Sequence, residues 1–171
     1  MKRALIILSL AIVIVLCLSA ASDAGSSNAI SLFGSFSFTF FGVEYERRLG
    51  NFGLGADLGL FSIMDLVLPE VFFSMRLNGL FRYYFNVHPQ FKPYINVAPG
   101  VMMLFFKVPE PALAVTVPVF NMHTTAGFEY TPGSFRLALE AGYEFFVVPA
   151  VPAEYEVPGI FFMKLAAGYR F

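Results

Sequence analysis

The sequence predicts an all-β protein: a transmembrane, antiparallel up-and-down β-barrel of eight strands, preceded by a cleavable signal peptide. Three observations lead to this fold class. Of the 171 residues, 57% are hydrophobic and only 13% are charged, whereas about 25% are charged in a typical soluble domain. A long apolar segment opens the chain. Beyond it, apolar and polar residues alternate with a period of two, which is typical of strands with two unlike faces.

The first residues, MKRALIILSLAIVIVLCLSAASDAGSS, predict a secretory signal peptide. Lys2 and Arg3 precede an apolar run over residues 4–18, which is short for a membrane-spanning helix. Small residues follow, with cleavage expected after Ala20, Ala21 or Ala24. An uncleaved helical anchor is the alternative. We expect a signal peptide over residues 1–21, a short segment over 22–28 and the barrel over 29–171.

No second long apolar helix follows the signal peptide, and the single cysteine, Cys17, lies within it. In lipid, a mature chain this apolar must pair its backbone N–H and C=O groups without helices. A closed barrel does so through hydrogen bonds between strands. The period-two alternation recurs in eight segments, at residues 29–40, 41–48, 51–61, 71–85, 92–106, 119–130, 135–145 and 160–171.

Residues 29–48 are too long for one membrane strand, which needs about 9–11 residues. The parity of the apolar row also switches between Phe40 and Phe41. We therefore predict a tight hairpin around Phe40–Gly42. A single bulged strand is the alternative, and it would leave seven strands.

The apolar rows are expected to face lipid and to carry no charge. An eight-stranded barrel has room for little more than its own side chains, so rows of Phe and Leu would not fit inside. A secreted soluble barrel of lipocalin shape, with the faces reversed, is the alternative. The rows expected inside hold seven basic and six acidic residues: Arg48, Arg76, Arg82, Lys92, Arg136, Lys164, Arg170, Glu44, Glu46, Asp57, Glu129, Glu140 and Glu144.

Short polar turns are expected at RRLGN, NVHPQF and TPGS, and longer connections at residues 62–70, 107–118 and 147–158. Barrels of bacterial outer membranes have short periplasmic turns and longer outer loops. One aromatic girdle is expected near the short turns, from Tyr45, Phe52, Tyr83, Phe85, Phe91, Tyr130, Phe135, Tyr169 and Phe171.

The chain ends with KLAAGYRF, in which Phe171 is last and Tyr169 stands two residues before it. With the strand pattern, this ending resembles the small eight-stranded bacterial outer-membrane barrels of the OmpA membrane domain and OmpX type. The resemblance implies a monomer in the outer membrane of a Gram-negative-type bacterium, surrounded by outer-membrane lipid. It also implies that the outer-membrane assembly machinery recognises the strand that ends at Phe171.

Two interpretations of the interior charges remain open: a plug of ion pairs or a polar conduit. A turn at Pro132–Gly133 would place Glu129 directly opposite Arg136. His123 is expected inside and hydrogen-bonded. An enzymatic role for it would need a companion nucleophile, and none stands at a recognisable spacing. We predict no catalytic residue, no cofactor and no metal site. The net charge of −1 and the lack of a basic cluster argue against nucleic acid.

The predicted outer connections, such as KVPEPALAVTVP and VVPAVPAEYEVP, are apolar and rich in proline. They stiffen strand ends in one interpretation and capture an apolar ligand or a protein in the other. Three functions remain. The first is a non-enzymatic envelope protein with a structural or surface-contact role. The second is a narrow porin-like channel or transporter for small apolar solutes or ions, similar to OmpW-type barrels, and the third is a lipid-modifying enzyme. The first is the leading hypothesis.

Overall fold

The computed structural model is a closed barrel in which each strand pairs with its neighbours in the sequence and β8 pairs with β1. It describes residues 27–36, 41–61, 71–106, 115–147 and 159–171. Among these residues, no helix has the length and apolar character needed to span a membrane. The strands are β1 (Ser27–Phe36), β2 (Phe41–Leu49), β3 (Phe52–Leu60), β4 (Val71–Tyr84), β5 (Phe91–Phe106), β6 (Val115–Tyr130), β7 (Phe135–Val147) and β8 (Ile160–Arg170).

The predicted orientation of the strand faces is confirmed. Leu32 and Phe36 are 69% and 71% exposed on the outer wall, whereas Glu44 and Glu144 are fully buried within the barrel. The same alternation follows every strand. Since a large apolar surface exposed all around a protein is stable only against another apolar phase, the outer wall is suited to lipid.

The reversal between β1 and β2 lies earlier than predicted. The two are separate antiparallel strands, so the two-strand interpretation of residues 29–48 is confirmed over the single bulged strand. Gly34 pairs with Phe41, and Gly42 already belongs to β2. Phe41 and Gly42, which the prediction placed in the hairpin turn, are thus strand residues, and residues 37–40 lie outside the described ranges. The prediction was misplaced because Phe38 and Phe40 continue the alternation of β1 in the sequence.

The turn between β6 and β7 also differs from the expectation. The Cα partner of Glu129 is Ala138, not Arg136. The Phe135 N–H donates to the Pro132 carbonyl at 3.3 Å, and Gly133 has a φ of +64°, so the chain reverses one residue later than predicted. A glycine takes this φ without steric strain. Arg136 is thus a diagonal neighbour of Glu129, within reach of its carboxylate.

Two strands extend into the connections expected at residues 107–118 and 147–158. β6 begins at Val115, and β7 ends at Val147. Pro118 lies within β6, where it pairs with Met103 of β5. Among the described residues, the β6–β7 pairing begins at Phe120, which pairs with Val147, the last described residue of β7. Residues 62–70, 107–114 and 148–158 lie outside the described ranges.

We call the end with the short β2–β3, β4–β5 and β6–β7 turns the turn end, and the opposite end the loop end. The aromatic girdle predicted at the turn end is present: of its nine members, all except Tyr45 are exposed on the outer wall. Phe52 packs on Tyr83, with ring centroids 5.3 Å apart. The hydroxyl of Tyr45 donates to Asn28 Oδ1 at 3.0 Å.

A second line of aromatic rings at the loop end was not predicted. Phe61 lies between Phe41 and Phe73, with ring centroids 5.5 and 5.4 Å away, and Phe73 lies 5.6 Å from Phe105. Phe61 itself has a φ of +58°, which is uncommon for a residue other than glycine. The outer wall therefore carries aromatic rings near both of its ends, as a membrane-spanning surface does.

Within the described ranges, one charge lies on the outward rows, contrary to the expectation that they carry none. Arg47 belongs to the outward row of β2, between Tyr45 and Leu49, and is half-buried. It stands next to the turn end, where the long aliphatic part of an arginine covers apolar surface while its charge reaches the polar interface. The position near the strand end is what makes a charge tolerable on this wall.

Candidate functional site

The interior of the barrel holds most of the charges of its strands. All six acidic residues that the sequence places inside are buried, together with five of the seven basic ones. The other two, Lys92 and Arg170, are partly exposed at the turn end. Nine of the buried residues form one connected group, which we call the central cluster: Glu44, Glu46, Asp57, Glu129, Glu140, Arg48, Arg82, Arg136 and Lys164.

The carboxylate of Glu44 lies at the centre of this cluster. Arg82 donates to its two oxygens at 2.6 and 2.8 Å, and Arg136 Nη1 donates at 2.7 Å. The Nζ atom of Lys164 lies 2.8 Å from Glu44 Oε2. One acid of β2 thus contacts cations from β4, β7 and β8. A buried carboxylate needs such partners, because an uncompensated buried ion costs several kcal/mol.

Two further acids, Glu46 and Glu129, form the turn-end part of the cluster. Arg48 Nη2 donates to both oxygens of Glu129 at 2.8 and 2.9 Å. Arg136 donates from Nε to Glu129 at 2.7 Å and from Nη2 to Glu46 at 3.1 Å. The Tyr84 hydroxyl donates to Glu46 at 2.7 Å. The ion pair expected between Glu129 and Arg136 is therefore present, but each partner is shared with other groups.

Lys164 joins three carboxylates in the middle of the barrel. Its Nζ lies 3.1 Å from Asp57, 2.9 Å from Glu140 and 2.8 Å from Glu44. The contact with Asp57 Oδ2 is a hydrogen bond, and those with Glu44 and Glu140 are ion pairs. Asp57 also accepts from Asn78 Nδ2 at 2.7 Å. Three carboxylates from three strands thus meet one ammonium group from a fourth.

A separate ion pair lies closer to the loop end. Arg76 Nη1 donates to Glu144 Oε1 at 2.9 Å, and Asn121 Nδ2 donates to the same oxygen at 3.1 Å. Asn121 also donates to Asn78 Oδ1 at 3.0 Å. The side chains of Arg76 and Glu144 are 1% and 0% exposed. This pair is fully desolvated, like the central cluster.

Beyond this pair, the described interior of the loop end is largely apolar, with Ser74 as a buried polar residue. Met102, Leu104, Val119 and Phe146 form a buried group, each at most 7% exposed. The sequence did not predict this group, because its residues stand at inward positions of strands whose outward positions are apolar as well. A period of two reports a strand face only where the two faces differ in polarity.

His123 lies inside, as predicted, but it has no hydrogen-bond partner among the described residues at either ring nitrogen. Its ring stacks on Phe162, with centroids 4.7 Å apart and an angle of 8° between the planes. The expectation of a hydrogen-bonded histidine was therefore wrong. A catalytic base normally holds a nucleophile or an orienting group within hydrogen-bond distance, and the described part of the chain offers His123 neither.

The described residues contain no group of three His, Cys, Asp or Glu side chains placed to hold a metal ion. The predicted signal peptide, with Cys17 and the expected cleavage sites, lies outside the described residues. So do most of the apolar connections that we considered as ligand-binding loops.

Glycine at inward positions makes room for the large interior side chains. A Cβ atom at Gly127 would lie 2.5 Å from the Leu139 carbonyl oxygen and 2.9 Å from the ring of Tyr94. That tyrosine hydroxyl donates to Glu140 at 3.2 Å. The absence of a side chain at Gly127 thus gives Tyr94 and Glu140 their space.

Comparison with known proteins shows the fold. No protein-family model matches the sequence, and no curated protein sequence matches it significantly. The N-terminal β-barrel domain of Pseudomonas aeruginosa OprF is similar in structure, with a TM-score of 0.60 at 16% identity, over 86% of this chain and 98% of that domain. Neisserial surface protein A gives a TM-score of 0.53 at 12% identity, over 85% and 94% of the two chains. The expected architecture of small eight-stranded outer-membrane barrels is confirmed.

Proposed function

We propose that this chain is an integral outer-membrane protein of a Gram-negative-type bacterium, exported by its signal peptide, with a non-enzymatic role in the envelope. It then acts through its structural role and its surface contacts, and its interior is closed to solutes. The apolar outer wall, the two aromatic zones and the similarity in fold to OprF and Neisserial surface protein A support the location.

The central cluster is the observation that supports a closed interior. Its nine charged side chains come from β2, β3, β4, β6, β7 and β8 and contact each other across the barrel. Eight strands enclose a space that side chains fill. A hydrated ion would have to separate several desolvated ion pairs to pass.

The location is tested by fractionating cells and running the membrane fraction on a gel with and without boiling. Folded outer-membrane barrels resist detergent, so we expect the band in the outer-membrane fraction to change its mobility after boiling. Recovery of the protein in the soluble fraction, with the same mobility in both samples, would refute the proposed location.

The closed interior is tested by conductance in planar lipid bilayers. We expect no steady conductance from the unmodified protein. Replacing Arg82 and Glu44 together by serine removes two large members of the central cluster and should open a measurable conductance. Arg47→Ser, on the outer wall of the same strand as Glu44, is the matched control and should stay closed. Steady conductance from the unmodified protein would contradict the plug.

A second candidate function is a narrow passage for small apolar solutes. The apolar lining of the loop end, Met102, Leu104, Val119 and Phe146, favours it. The test is the rate at which a small apolar solute enters vesicles that contain the barrel. Met102→Gln should slow this entry if the lining takes part, whereas Met122→Gln on the outer wall should not. Equal rates with and without the protein would remove this candidate.

We propose that the assembly machinery of the outer membrane recognises β8 and that the barrel is a monomer. Tyr169 and Phe171 stand outward at the turn end, 56% and 48% exposed, where a partner can reach them before closure. After closure, the N–H of Asn28 donates to the Phe171 carbonyl oxygen at 2.8 Å, and the Phe171 N–H donates to the Asn28 oxygen at 2.8 Å. Both termini of the barrel are then paired with each other.

A further inference from the structure

A small group of polar side chains lies on the outer wall near the turn end. We call it the outer polar patch, and it consists of Asn28 of β1 with Tyr45 and Arg47 of β2. Asn28 and Arg47 are Cα partners, and Tyr45 stands two residues from Arg47 in the same outward row. The Tyr45 hydroxyl donates to Asn28 Oδ1 at 3.0 Å. Within the described ranges, this patch holds the one charge of the outward rows.

Arg47 lies at the level of the aromatic girdle of the turn end. It stands two residues before the end of β2 at Leu49, which is about 7 Å along the strand. The Cα partner of Leu49 in β3 is Phe52. On the other side, the backbone N–H and C=O groups of Asn28 are both paired with Phe171. Since Phe52 and Phe171 belong to the girdle, Arg47 stands where such a wall meets the lipid headgroups.

The wall around the outer polar patch is apolar. Leu54 is the Cα partner of Arg47 in β3 and is 43% exposed. Phe52 and Phe171 are 58% and 48% exposed. A molecule that contacts Arg47 from outside the barrel therefore also lies against leucine and aromatic surface. A small hydrated anion has no group that would cover this surface, whereas a molecule with an anionic head and an apolar body covers both parts.

The chemistry of an arginine on such a wall favours a phosphate group as its partner. A guanidinium has five N–H donors and no acceptor, and it binds phosphate oxygens through parallel charge-assisted hydrogen bonds. Arg47 is half-buried, and a cation that is partly removed from water is attracted more strongly by an anion than a fully hydrated one. Phosphate next to acyl chains is the arrangement that a phospholipid offers.

We propose that the outer polar patch binds the headgroup of an anionic phospholipid. Arg47 contacts the phosphate, and the girdle residues beside it contact the acyl chains. Tyr45 and Asn28 are positioning residues, because their hydrogen bond joins β1 and β2 beside the arginine. The leaflet that supplies the lipid, the periplasmic one, rests on the proposed function. Binding is measured on the purified protein, so a failed binding test and a failed cell fractionation are distinguishable.

The experiment is native mass spectrometry of the purified, folded barrel in detergent micelles. The probes are phosphatidylglycerol and phosphatidylethanolamine with the same acyl chains. Both lipids carry a phosphate, but only phosphatidylglycerol has a net negative charge. We expect phosphatidylglycerol to bind more tightly, because no ammonium group of its own competes with Arg47 for the phosphate. Equal affinity for the two lipids would overturn the assignment to an anionic phospholipid.

Arg47→Met tests the residue that we assign to the phosphate. Methionine keeps an apolar side chain on the outer wall and removes the charge, so the variant is expected to fold, which the unboiled gel band verifies. Its affinity for phosphatidylglycerol should fall about tenfold, as expected for loss of a charge-assisted hydrogen bond. Arg47→Lys keeps the charge and should retain the preference for phosphatidylglycerol. An unchanged affinity in Arg47→Met would overturn the site.

The matched control is Arg170→Met, which removes the same charge at the same end of the barrel but from the inward row of β8. Arg170 donates to Ser27 Oγ at 2.7 Å, and its loss should leave the affinity for phosphatidylglycerol unchanged. Equal weakening by Arg47→Met and Arg170→Met would mean that only net charge matters and would overturn the site. Displacement of the lipid by inorganic phosphate at equal concentration would overturn the assignment to a lipid. Because the patch lies outside the barrel wall, its loss should leave the interior closed.

Discussion

Breaking the Arg76–Glu144 pair tests whether the interior charges are desolvated as the structure shows. In Arg76→Met, Glu144 keeps the amide donor of Asn121 at 3.1 Å but loses the arginine at 2.9 Å. In Glu144→Gln, Arg76 keeps its charge without that carboxylate. The double variant carries neither charge. We expect each single variant to be destabilised strongly and the double variant to regain most of the loss.

The magnitude follows from the burial of both side chains, which are 1% and 0% exposed. Removal of one partner of a buried ion pair costs about 3–5 kcal/mol, whereas replacement of both by groups of similar volume is often close to neutral. A Coulomb attraction of about 4 kcal/mol, for unit charges 4 Å apart at an effective dielectric constant of 20, agrees with this range. We therefore expect a coupling energy of about 3 kcal/mol or more in the double-mutant cycle.

The assay is urea unfolding of the barrel in lipid vesicles. The chain has no tryptophan, so far-UV circular dichroism and the mobility of the unboiled band report unfolding. The pair Glu129 and Arg136 serves as a contrast. Because Arg136 also contacts Glu44 and Glu46, its removal leaves those acids short of a cation, and the double variant should not recover. A coupling energy below about 1 kcal/mol for Arg76 and Glu144 would refute the reasoning, since that is the value of solvent-exposed pairs.

Three further outcomes are expected. Gly127→Ala should lower the free energy of unfolding by about 1–3 kcal/mol in the same urea assay, since its Cβ would lie 2.5 Å from the Leu139 carbonyl oxygen. Gly79→Ala, with 3.5 Å to the nearest atom, should be nearly neutral. Equal effects would contradict the tight inner packing. Leu32→Arg should cost about 2–4 kcal/mol in vesicles if the outer wall meets lipid, and Val87→Arg, in a turn and 72% exposed, should have no such effect. Phe171→Ala should slow assembly of the barrel in cells without lowering its stability in urea, and an unchanged rate of assembly would count against recognition of β8.

The faces of the strands could be predicted from the sequence because the two faces differ in polarity. In β3, glycine and Asp57 alternate with leucine, and in β2, Glu44 and Glu46 alternate with Val43 and Tyr45. The period of two therefore assigns each side chain to the interior or to the outer wall. The short turns were also predictable, since Gly50 and Gly133 supply the positive φ of +60° and +64° that tight reversals require.

Other features could not be predicted because local periodicity does not determine them. The reversal after β1 was misplaced, because Phe38 and Phe40 continue the alternation of β1 in the sequence. Pro118 was assigned to a connection because proline lacks the N–H group that strand pairing uses, yet it pairs with Met103 within β6. The apolar group around Met102 and Phe146 was missed because both faces of those strands are apolar.

The sharing of carboxylates is likewise a property of the closed barrel and not of any one hairpin. A hairpin brings Glu129 near Arg136, seven residues apart, but only closure brings Glu44 to Arg136, which is 92 residues away. In an interior this narrow, each inward charge meets the opposite wall as well as its neighbours. Acids near the middle therefore collect several cations: Glu44 contacts Arg82, Arg136 and Lys164, which come from three different strands.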